Sequence, residues 1–488
     1  MQVNRPRSRV SGFLLAVVLV AGARPAARGE IALFERGDSN ADGELDIVDA
    51  VHTLGFLFLG TPDALGCEDA ADTTDDGTID IADPVRGLSH LFLGAPAPPS
   101  PFGGCGEDPT NDPLGCAMYP PCDPLEPRFE ALERLELDAC QLDALTFADL
   151  DDDGVLDLVL SSFGGAEGCA FWSLLGNGDG TFSEASRNDG GLGRKSVATG
   201  DFDENGSTDV AMSASCTACV SVFLALGDGR FGGEVVYPVT PAPFGLTTGD
   251  LNGDGHLDLA VSSLSLSPGE GVSVLLGRGD GTFGEAVEYA ARRIWAIAAG
   301  DLNLDGAVDL AVSGRTGGLG VLLGVGDGSF GDVAFYGVPD DERSQETPVA
   351  LGDVNGDGLP DVVVADWRRD TLRIFPGTGD GTFDTVRECR TGSIPLDVAI
   401  GDLDRDGVLD LAVVNRGEHE VWVHRGVGDA SFLRGVRYGV GRIPRQVAIG
   451  DVNGDGAPDL AVASSSNDND EVSLLLGRLE APPRPDDG

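Results

Sequence analysis

From residue 129 onwards, apolar residues occur in short runs that are separated by polar, glycine-rich turns. In one representative unit the runs are residues 294–299, 310–312, 320–323 and 333–336. Each run is too short for a stable helix and is typical of a strand. The arrangement recurs seven times at intervals of 49 to 52 residues. Four short strands per unit of roughly 50 residues are typical of a propeller blade, so the pattern predicts a mainly β, seven-bladed β-propeller over residues 129–479.

The two ends of the repeat array differ from the middle. The last unit stops after its third strand, residues 472–476, and lacks the turn and fourth strand of the other units. The missing strand has a counterpart before the first unit, where residues 129–133 (FEALE) resemble residues 283–287 (FGEAV). We expect the N-terminal strand to complete the last blade, because ring closure removes exposed sheet edges.

Between its first and second strands, each unit carries the pattern Asp-x-Asn/Asp-x-Asp/Asn-Gly-x-x-Asp. Positions 1, 3, 5 and 9 offer side-chain oxygens, position 7 offers a carbonyl, and the glycine at position 6 permits a sharp bend. Ca²⁺ prefers six to eight such oxygens, whereas Mg²⁺ requires stricter octahedral geometry. The alternative is Asx-turn chemistry without metal. The sevenfold recurrence favours calcium, since three or four carboxylates in one loop repel each other without a cation.

The predicted ligands of the seven propeller loops are Asp149, Asp151, Asp153, Asp157; Asp201, Asp203, Asn205, Asp209; Asp250, Asn252, Asp254, Asp258; Asp301, Asn303, Asp305, Asp309; Asp353, Asn355, Asp357, Asp361; Asp402, Asp404, Asp406, Asp410; and Asp451, Asn453, Asp455, Asp459.

Residues 38–60 and 72–94 form a tandem duplication, and each copy reads as a 12-residue EF-hand-like loop followed by an apolar helix. Position 12 is Asp, not the Glu of ordinary EF-hands. The predicted ligands are Asp38, Asn40, Asp42, Asp46, Asp49, Asp72, Thr74, Asp76, Asp80 and Asp83. Together with the propeller loops, these predict up to nine calcium ions.

On these motifs, residues 129–479 resemble the FG-GAP/VCBS repeats of integrin α-like propellers, and residues 30–95 resemble type I dockerin modules. The second resemblance implies two calcium ions, a packed α-helical pair and a cohesin-like partner. The loop pairs Ile47-Val48 and Ile81-Ala82 depart from the polar recognition pairs of cohesin-binding dockerins. A calcium-stabilised structural module is therefore the alternative.

The remaining segments fit a secreted protein. Residues 1–29 combine a basic start, a short apolar run and small residues, which predicts a signal peptide. We expect a Pro/Gly/Cys-rich linker at 96–128, a disordered tail at 480–488, and no membrane span in the mature chain. Nine cysteines predict disulfide bonds, with an odd thiol left free or used between chains.

A net charge of −49 argues against a nucleic-acid partner. No GxSxG, HExxH or P-loop motif occurs, so we expect no enzymatic activity. We expect an extracellular recognition or adhesion protein that binds a protein or carbohydrate ligand. The alternatives are a scaffold component joined through residues 30–95, and a polysaccharide-degrading enzyme. Many of the chain's basic residues fall in turns on the side opposite the acidic loops; they include Arg293, Arg368, Arg369, Arg416 and Arg442. These residues either form a face that binds an anionic or carbohydrate ligand, or are solvated loop charges.

Overall fold

The described part of the chain consists of short strands, as the spacing of apolar runs predicts. The computed structural model describes residues 128–137, 141–162, 170–190, 194–215, 217–265, 271–291, 293–314, 318–337, 346–465 and 470–478. Twenty-eight strands form seven four-stranded sheets, and each sheet is one blade. The predicted seven-bladed propeller is therefore confirmed.

Blades 1 to 6 each take four consecutive strands. Blade 1 contains β2 Leu142–Ala148, β3 Asp157–Ser162, β4 Ala170–Leu174 and β5 Ser186–Asp189. Blade 2 contains β6 Arg194–Gly200, β7 Asp209–Ala214, β8 Cys219–Phe223 and β9 Val235–Pro238. Blade 3 contains β10 Pro243–Gly249, β11 Asp258–Ser263, β12 Val272–Leu275 and β13 Val287–Tyr289. Blade 4 contains β14 Ile294–Gly300, β15 Asp309–Gly314, β16 Leu319–Leu322 and β17 Ala334–Tyr336.

The later blades follow the same order. Blade 5 contains β18 Glu346–Gly352, β19 Asp361–Asp366, β20 Thr371–Phe375 and β21 Arg387–Arg390. Blade 6 contains β22 Pro395–Gly401, β23 Asp410–Asn415, β24 Glu420–His424 and β25 Val436–Gly439. Blade 7 contains β26 Pro444–Gly450, β27 Asp459–Ser465, β28 Asp470–Arg478 and, from the start of the chain, β1 Arg128–Leu137.

Burial changes across each blade from the inside outwards. The second strands are buried along their whole length and have apolar residues at their centres, because neighbouring blades cover both of their faces. The fourth strands alternate between exposed and partly buried residues and form the outer edge. The core consequently lies between blades, as in the cluster of Leu251, Val274 and Ile297 from blades 3 and 4.

The predicted ring closure is confirmed. Strand β1 runs antiparallel to β28 and is the outermost strand of blade 7. Phe129 lies edge-on to Tyr438 of blade 6, with ring centroids 5.3 Å apart. Phe283 makes the equivalent contact with Tyr237 at 5.4 Å. Phe129 thus takes the place of the phenylalanine that the last unit lacks.

The predicted strand boundaries were wrong by one to four residues. The second strand of the representative unit begins at Asp309 instead of residue 310, because Asp309 pairs with Gly300 as the first rung of the sheet. The closing strand extends to Leu137 instead of residue 133, since β28 is long enough to pair with all of it.

The predictions for the two ends of the chain lie outside the described residues. These include the signal peptide, the dockerin-like module with its helical pair, most of the linker, and the C-terminal tail. None of the described residues forms a helix. Within the described ranges, no helix is long and apolar enough to cross a membrane.

Candidate functional site

The seven acidic loops lie on one face of the propeller. Each loop connects the first strand of a blade to its second, and the aspartate at position 9 begins the second strand opposite the last residue of the first, as Gly300 pairs with Asp309. Because the blades share this topology, all seven loops emerge at the same ends of the strands. We call this side of the ring the acidic-loop face.

The side chains within each loop hold its backbone in a tight turn. In the fifth loop, Asp353 accepts hydrogen bonds from the backbone N–H groups of Asp357 at 3.1 Å and Gly358 at 2.8 Å. Asn355 Oδ1 accepts from the N–H of Asp357 at 2.9 Å. Gly358 has φ +83°, a conformation that other residues adopt at a cost. The glycine at position 6 is therefore required by the turn.

The aspartate at position 9 connects the loop to the rest of its blade. Asp361 accepts from the N–H of Val354 at 3.0 Å through Oδ2 and from that of Gly377 at 2.8 Å through Oδ1. Burial raises the pKa of Asp361 to about 6, although both hydrogen bonds oppose that rise. A carboxylate oxygen has two lone pairs, so Asp361 can both accept these hydrogen bonds and ligate a cation.

The same pair of hydrogen bonds to position 9 occurs in all seven blades. Its acceptors are Asp157, Asp209, Asp258, Asp309, Asp361, Asp410 and Asp459. The sequence predicted these residues as ligands and did not predict this structural role, since the spacing of a motif does not reveal which backbone groups approach it.

Carboxylates at positions 1, 3 and 9 converge in three loops. The oxygens of Asp149, Asp151 and Asp157 lie within 4.8 Å of one another, as do those of Asp201, Asp203 and Asp209 and those of Asp402, Asp404 and Asp410. The loops that begin at residues 250, 301, 353 and 451 have Asn at position 3. The position 5 carboxylates Asp153 and Asp406 lie outside these groups.

Several buried oxygens in these loops have no hydrogen-bond partner. They are Asp151 Oδ1 in the first loop, Asp402 Oδ1 in the sixth and Asp451 Oδ1 in the seventh. A buried acceptor without a partner costs about 1–3 kcal/mol. A hard cation would satisfy such oxygens, so the chemistry of the donor sets in the first and seventh loops fits Ca²⁺. In the sixth loop an arginine side chain is also present. The ten predicted ligands between Asp38 and Asp83 lie outside the described residues.

The second recurring turn, which we call the GDG turn, connects the third strand to the fourth on the same face. Its glycines take positive φ, +67° at Gly279 and +76° at Gly281, and Phe283 packs between blades. The role of the central aspartate was not predicted. Asp280 Oδ1 accepts from both the N–H and the hydroxyl of Thr282, and these bonds hold the pKa of Asp280 below its usual range.

The GDG turn of one blade also covers the preceding blade. At five junctions a leucine lies against the second glycine of the next turn, where an added methyl group would come within 2.6 to 3.2 Å of the leucine side chain. These leucine–glycine pairs are Leu476–Gly180, Leu175–Gly229, Leu224–Gly281, Leu276–Gly328 and Leu323–Gly381.

Blades 5 and 6 break this rule, because Pro376 replaces the leucine and Ala430 replaces the glycine. An open cleft of about 390 Å³ lies at this junction. Its polar lining residues are Asn355 and Asp357 of the fifth acidic loop, together with Thr378, Asp384, Thr385, Arg387 and Asp429. Arg387 lies 3.6 Å from Asp429 across the cleft. The cleft thus presents hydrogen-bond donors and acceptors beside a candidate cation site.

The turns on the side of the ring away from the acidic loops carry several of the predicted arginines. Arg368 and Arg369 follow β19, and the Arg368 guanidinium lies 5.4 Å from the centre of the Trp367 ring. Arg416 follows β23 and Arg442 follows β25.

A cysteine and a histidine approach each other between blades 5 and 6. Cys389 Sγ lies 3.6 Å from His424 Nδ1, and His424 Nε2 lies 3.3 Å from the hydroxyl of Thr391. Burial raises the pKa of the Cys389 thiol to about 12 and lowers the pKa of His424 to about 4. The pair is therefore a neutral thiol and a neutral imidazole, not the thiolate–imidazolium pair of a cysteine nucleophile. Cys219 and Cys389 are free thiols, and the other seven cysteines lie outside the described residues.

Comparison with protein families agrees with this repeat geometry. The FG-GAP-like repeat model matches residues 301–364, 353–413 and 402–462. Each match starts at the first aspartate of one acidic loop and ends in the second strand of the next blade. The chain carries FG-GAP-like repeats. A search of curated proteins found no match.

Several solved structures resemble the chain at low sequence identity. A complex of BBS1N with ARL6DN, soaked with lead, is 14% identical, covers 72% of this chain and 98% of its own, and has a TM-score of 0.51. An Agrocybe aegerita lectin that recognises non-reducing terminal N-acetylglucosamine is 22% identical and has a TM-score of 0.45; the match covers 62% of this chain and 79% of the lectin chain. A Lactobacillus plantarum protein is 14% identical, with 64% and 87% covered and a TM-score of 0.49. At 14% identity, the similarity to the BBS1N complex supports the fold alone.

Proposed function

We propose that this protein is a secreted, non-catalytic binding propeller that calcium stabilises and that recognises a hydroxyl-rich ligand of the carbohydrate class. The observation that carries the binding role is the cleft between blades 5 and 6. It opens at a junction where two residues depart together from an otherwise repeated pair. A rigid ring that presents one polar gap is a suitable scaffold for recognition.

The chemistry of the cleft supports a polar, hydroxylated ligand. Arg387 can donate hydrogen bonds, Asp384 and Asp429 can accept them, and Thr378 and Thr385 can do both. Such mixed donors and acceptors match vicinal hydroxyl groups, which also both donate and accept. Pro376 and Ala430 lie at the base of the cleft and are themselves buried, so the polar side chains would make most of the ligand contacts.

Calcium has a structural role in this proposal. The loops that would hold it join the first and second strands of each blade and, through position 9, the start of the GDG turn. A bound ion would neutralise repulsion between carboxylates that lie within 4.8 Å of one another. In the fifth loop the ion would also lie beside the cleft, so we expect ligand binding to weaken when calcium is removed.

The test compares three forms of the full chain on a glycan array, with calcium and with chelator. The second form carries Pro376→Leu with Ala430→Gly, which restores the leucine–glycine pair and fills the cleft. The third carries Arg368→Glu with Arg369→Glu on the other face. We expect wild type and the third form to bind the same glycans with calcium, and the filled form to lose them. Equal binding by the filled form would refute the cleft as the site.

A second candidate site is the cationic face. Its support is the stacked Arg368–Trp367 pair, which offers both a charge and an aromatic surface. An anionic ligand bound there would be lost in the Arg368→Glu/Arg369→Glu form and retained in the filled form. A scaffold role through residues 30–95 would instead be seen as a partner lost when that segment is deleted. Turnover of a polysaccharide by the purified protein would contradict the non-catalytic part of the proposal.

A further inference from the structure

The sixth acidic loop differs from the other six in that an arginine side chain contacts its predicted calcium ligands. Arg425 directly follows β24 and reaches into the loop, where its Nε lies 2.5 Å from Asp404 Oδ2 and its terminal nitrogen lies 3.0 Å from Asp406 Oδ2. The contact with Asp404 is an ion pair without the direction of a good hydrogen bond, while that with Asp406 is a hydrogen bond. Arg425 therefore occupies two of the four predicted calcium ligands of this loop.

This ion pair is buried. The Arg425 side chain is 9% exposed and that of Asp404 is 1% exposed. Buried charges persist in a fold when they are paired, and a guanidinium cannot lose its proton to avoid the cost of burial. Arg425 is thus a permanent positive charge at Asp404.

The repeat explains how the arginine fits at this place. The equivalent residue is leucine in five blades and Pro376 in blade 5. Each of those leucines lies under the GDG turn of the following blade. Blade 7 has no GDG turn, because β28 continues to Arg478 and pairs with β1. Nothing equivalent to that turn covers Arg425, so a longer side chain can reach back into its own loop.

We infer that Arg425 takes the place of calcium in the sixth loop, so that this loop does not bind the ion although it keeps all four aspartates. In the first and second loops, where the same three positions converge, no arginine makes such a contact among the described residues. Both cations would need Asp404, and the arginine is covalently fixed there. The inference rests on the proposed calcium binding of the other loops.

The test counts calcium ions per chain by equilibrium dialysis followed by plasma emission spectrometry. Asp404→Asn should bind as many ions as wild type, whereas Asp353→Asn in the fifth loop should bind one fewer. Arg425→Leu, which restores the common residue, should bind one ion more. Arg416→Leu, an arginine away from the loops, should match wild type.

The outcomes distinguish calcium binding by the propeller loops in general from the replacement of calcium by Arg425 in the sixth loop. Loss of one ion in Asp404→Asn would overturn the inference, as would an unchanged count in Arg425→Leu that folds with the circular dichroism spectrum of wild type. If Arg425→Leu does not fold, Asp404→Asn decides alone. If Asp353→Asn loses no ion, calcium binding by the propeller loops fails, and this inference fails with it.

Discussion

Pro376 and Ala430 provide a direct test of how neighbouring blades fit together. Ala430 is buried and has φ +63°, where a residue with a Cβ normally costs about 1–2 kcal/mol. At the five regular junctions a methyl group on the corresponding glycine would lie within 2.6 to 3.2 Å of a leucine. Leucine at 376 and alanine at 430 should therefore exclude each other. Pro376→Leu alone should overpack the junction and cost about 1–3 kcal/mol of unfolding free energy.

The second substitution should reverse most of that loss. Ala430→Gly alone should be nearly neutral, since about 0.8 kcal/mol lost with a buried methyl group is offset by about 1 kcal/mol of relieved backbone strain. In the double variant the leucine meets a glycine, as elsewhere in the ring. The double-mutant cycle should give a favourable coupling of about 1–3 kcal/mol. The cost of replacing proline itself is common to both arms and cancels.

The assay is urea unfolding of the four forms in saturating calcium, followed by tryptophan fluorescence and circular dichroism. A Pro376→Leu form as stable as wild type would refute the idea that the cleft exists because a leucine cannot fit there. A double variant no more stable than Pro376→Leu would show that the alanine is not the obstacle.

Three further predictions follow from single features. Burial raises the pKa of Asp397, whose Oδ2 accepts from the N–H of Val447 in the next blade at 2.9 Å, to about 7. The folded state then keeps this proton up to about pH 7, whereas the unfolded state loses it near pH 4. The free energy of unfolding should therefore fall by at most about 4 kcal/mol between pH 4 and 7. Urea denaturation measured across this pH range should show the fall in wild type, and Asp397→Asn should abolish it. Chelation should lower the melting temperature of wild type, and calcium but not magnesium should restore it. Each saturated site should contribute about 2.7 kcal/mol at a free calcium concentration 100 times its Kd. A melting scan that chelator leaves unchanged would contradict calcium binding by the acidic loops. Phe129→Ala should cost about 3–5 kcal/mol because Phe129 closes the ring against Tyr438, whereas Phe335→Ala on an exposed outer strand should stay within about 0.5 kcal/mol in the same melt.

Most of the architecture could be predicted from the sequence because it is repeated. Seven matched acidic turns and four apolar runs per unit identify the blades, and the resemblance of residues 129–133 to 283–287 identifies the closing strand. Strand ends were less predictable, since Asp309 reads as a loop ligand and also forms the first rung of a sheet.

The parts of the site that were missed depend on contacts between blades. The leucine–glycine pairing joins residues about 50 positions apart, and no local pattern announces it. The contact of Arg425 with Asp404 depends on a turn that blade 7 lacks, so a motif search scores the sixth loop as complete. Motif spacing predicts which oxygens are available in a loop, but the neighbouring blade decides which of them a cation can use.

The departures from the repeat are concentrated in one sector of the ring. Pro376 and Ala430 lie at the cleft between blades 5 and 6, Arg425 pairs with two aspartates in the loop of blade 6, and the missing turn of blade 7 leaves room for that arginine. Conserving the fold requires none of these changes, because five junctions keep the leucine–glycine pair and form equivalent sheets. Random drift would scatter such departures over all seven blades. Their clustering on one side of the acidic-loop face therefore supports recognition in this sector, with the regular blades acting as its rigid support.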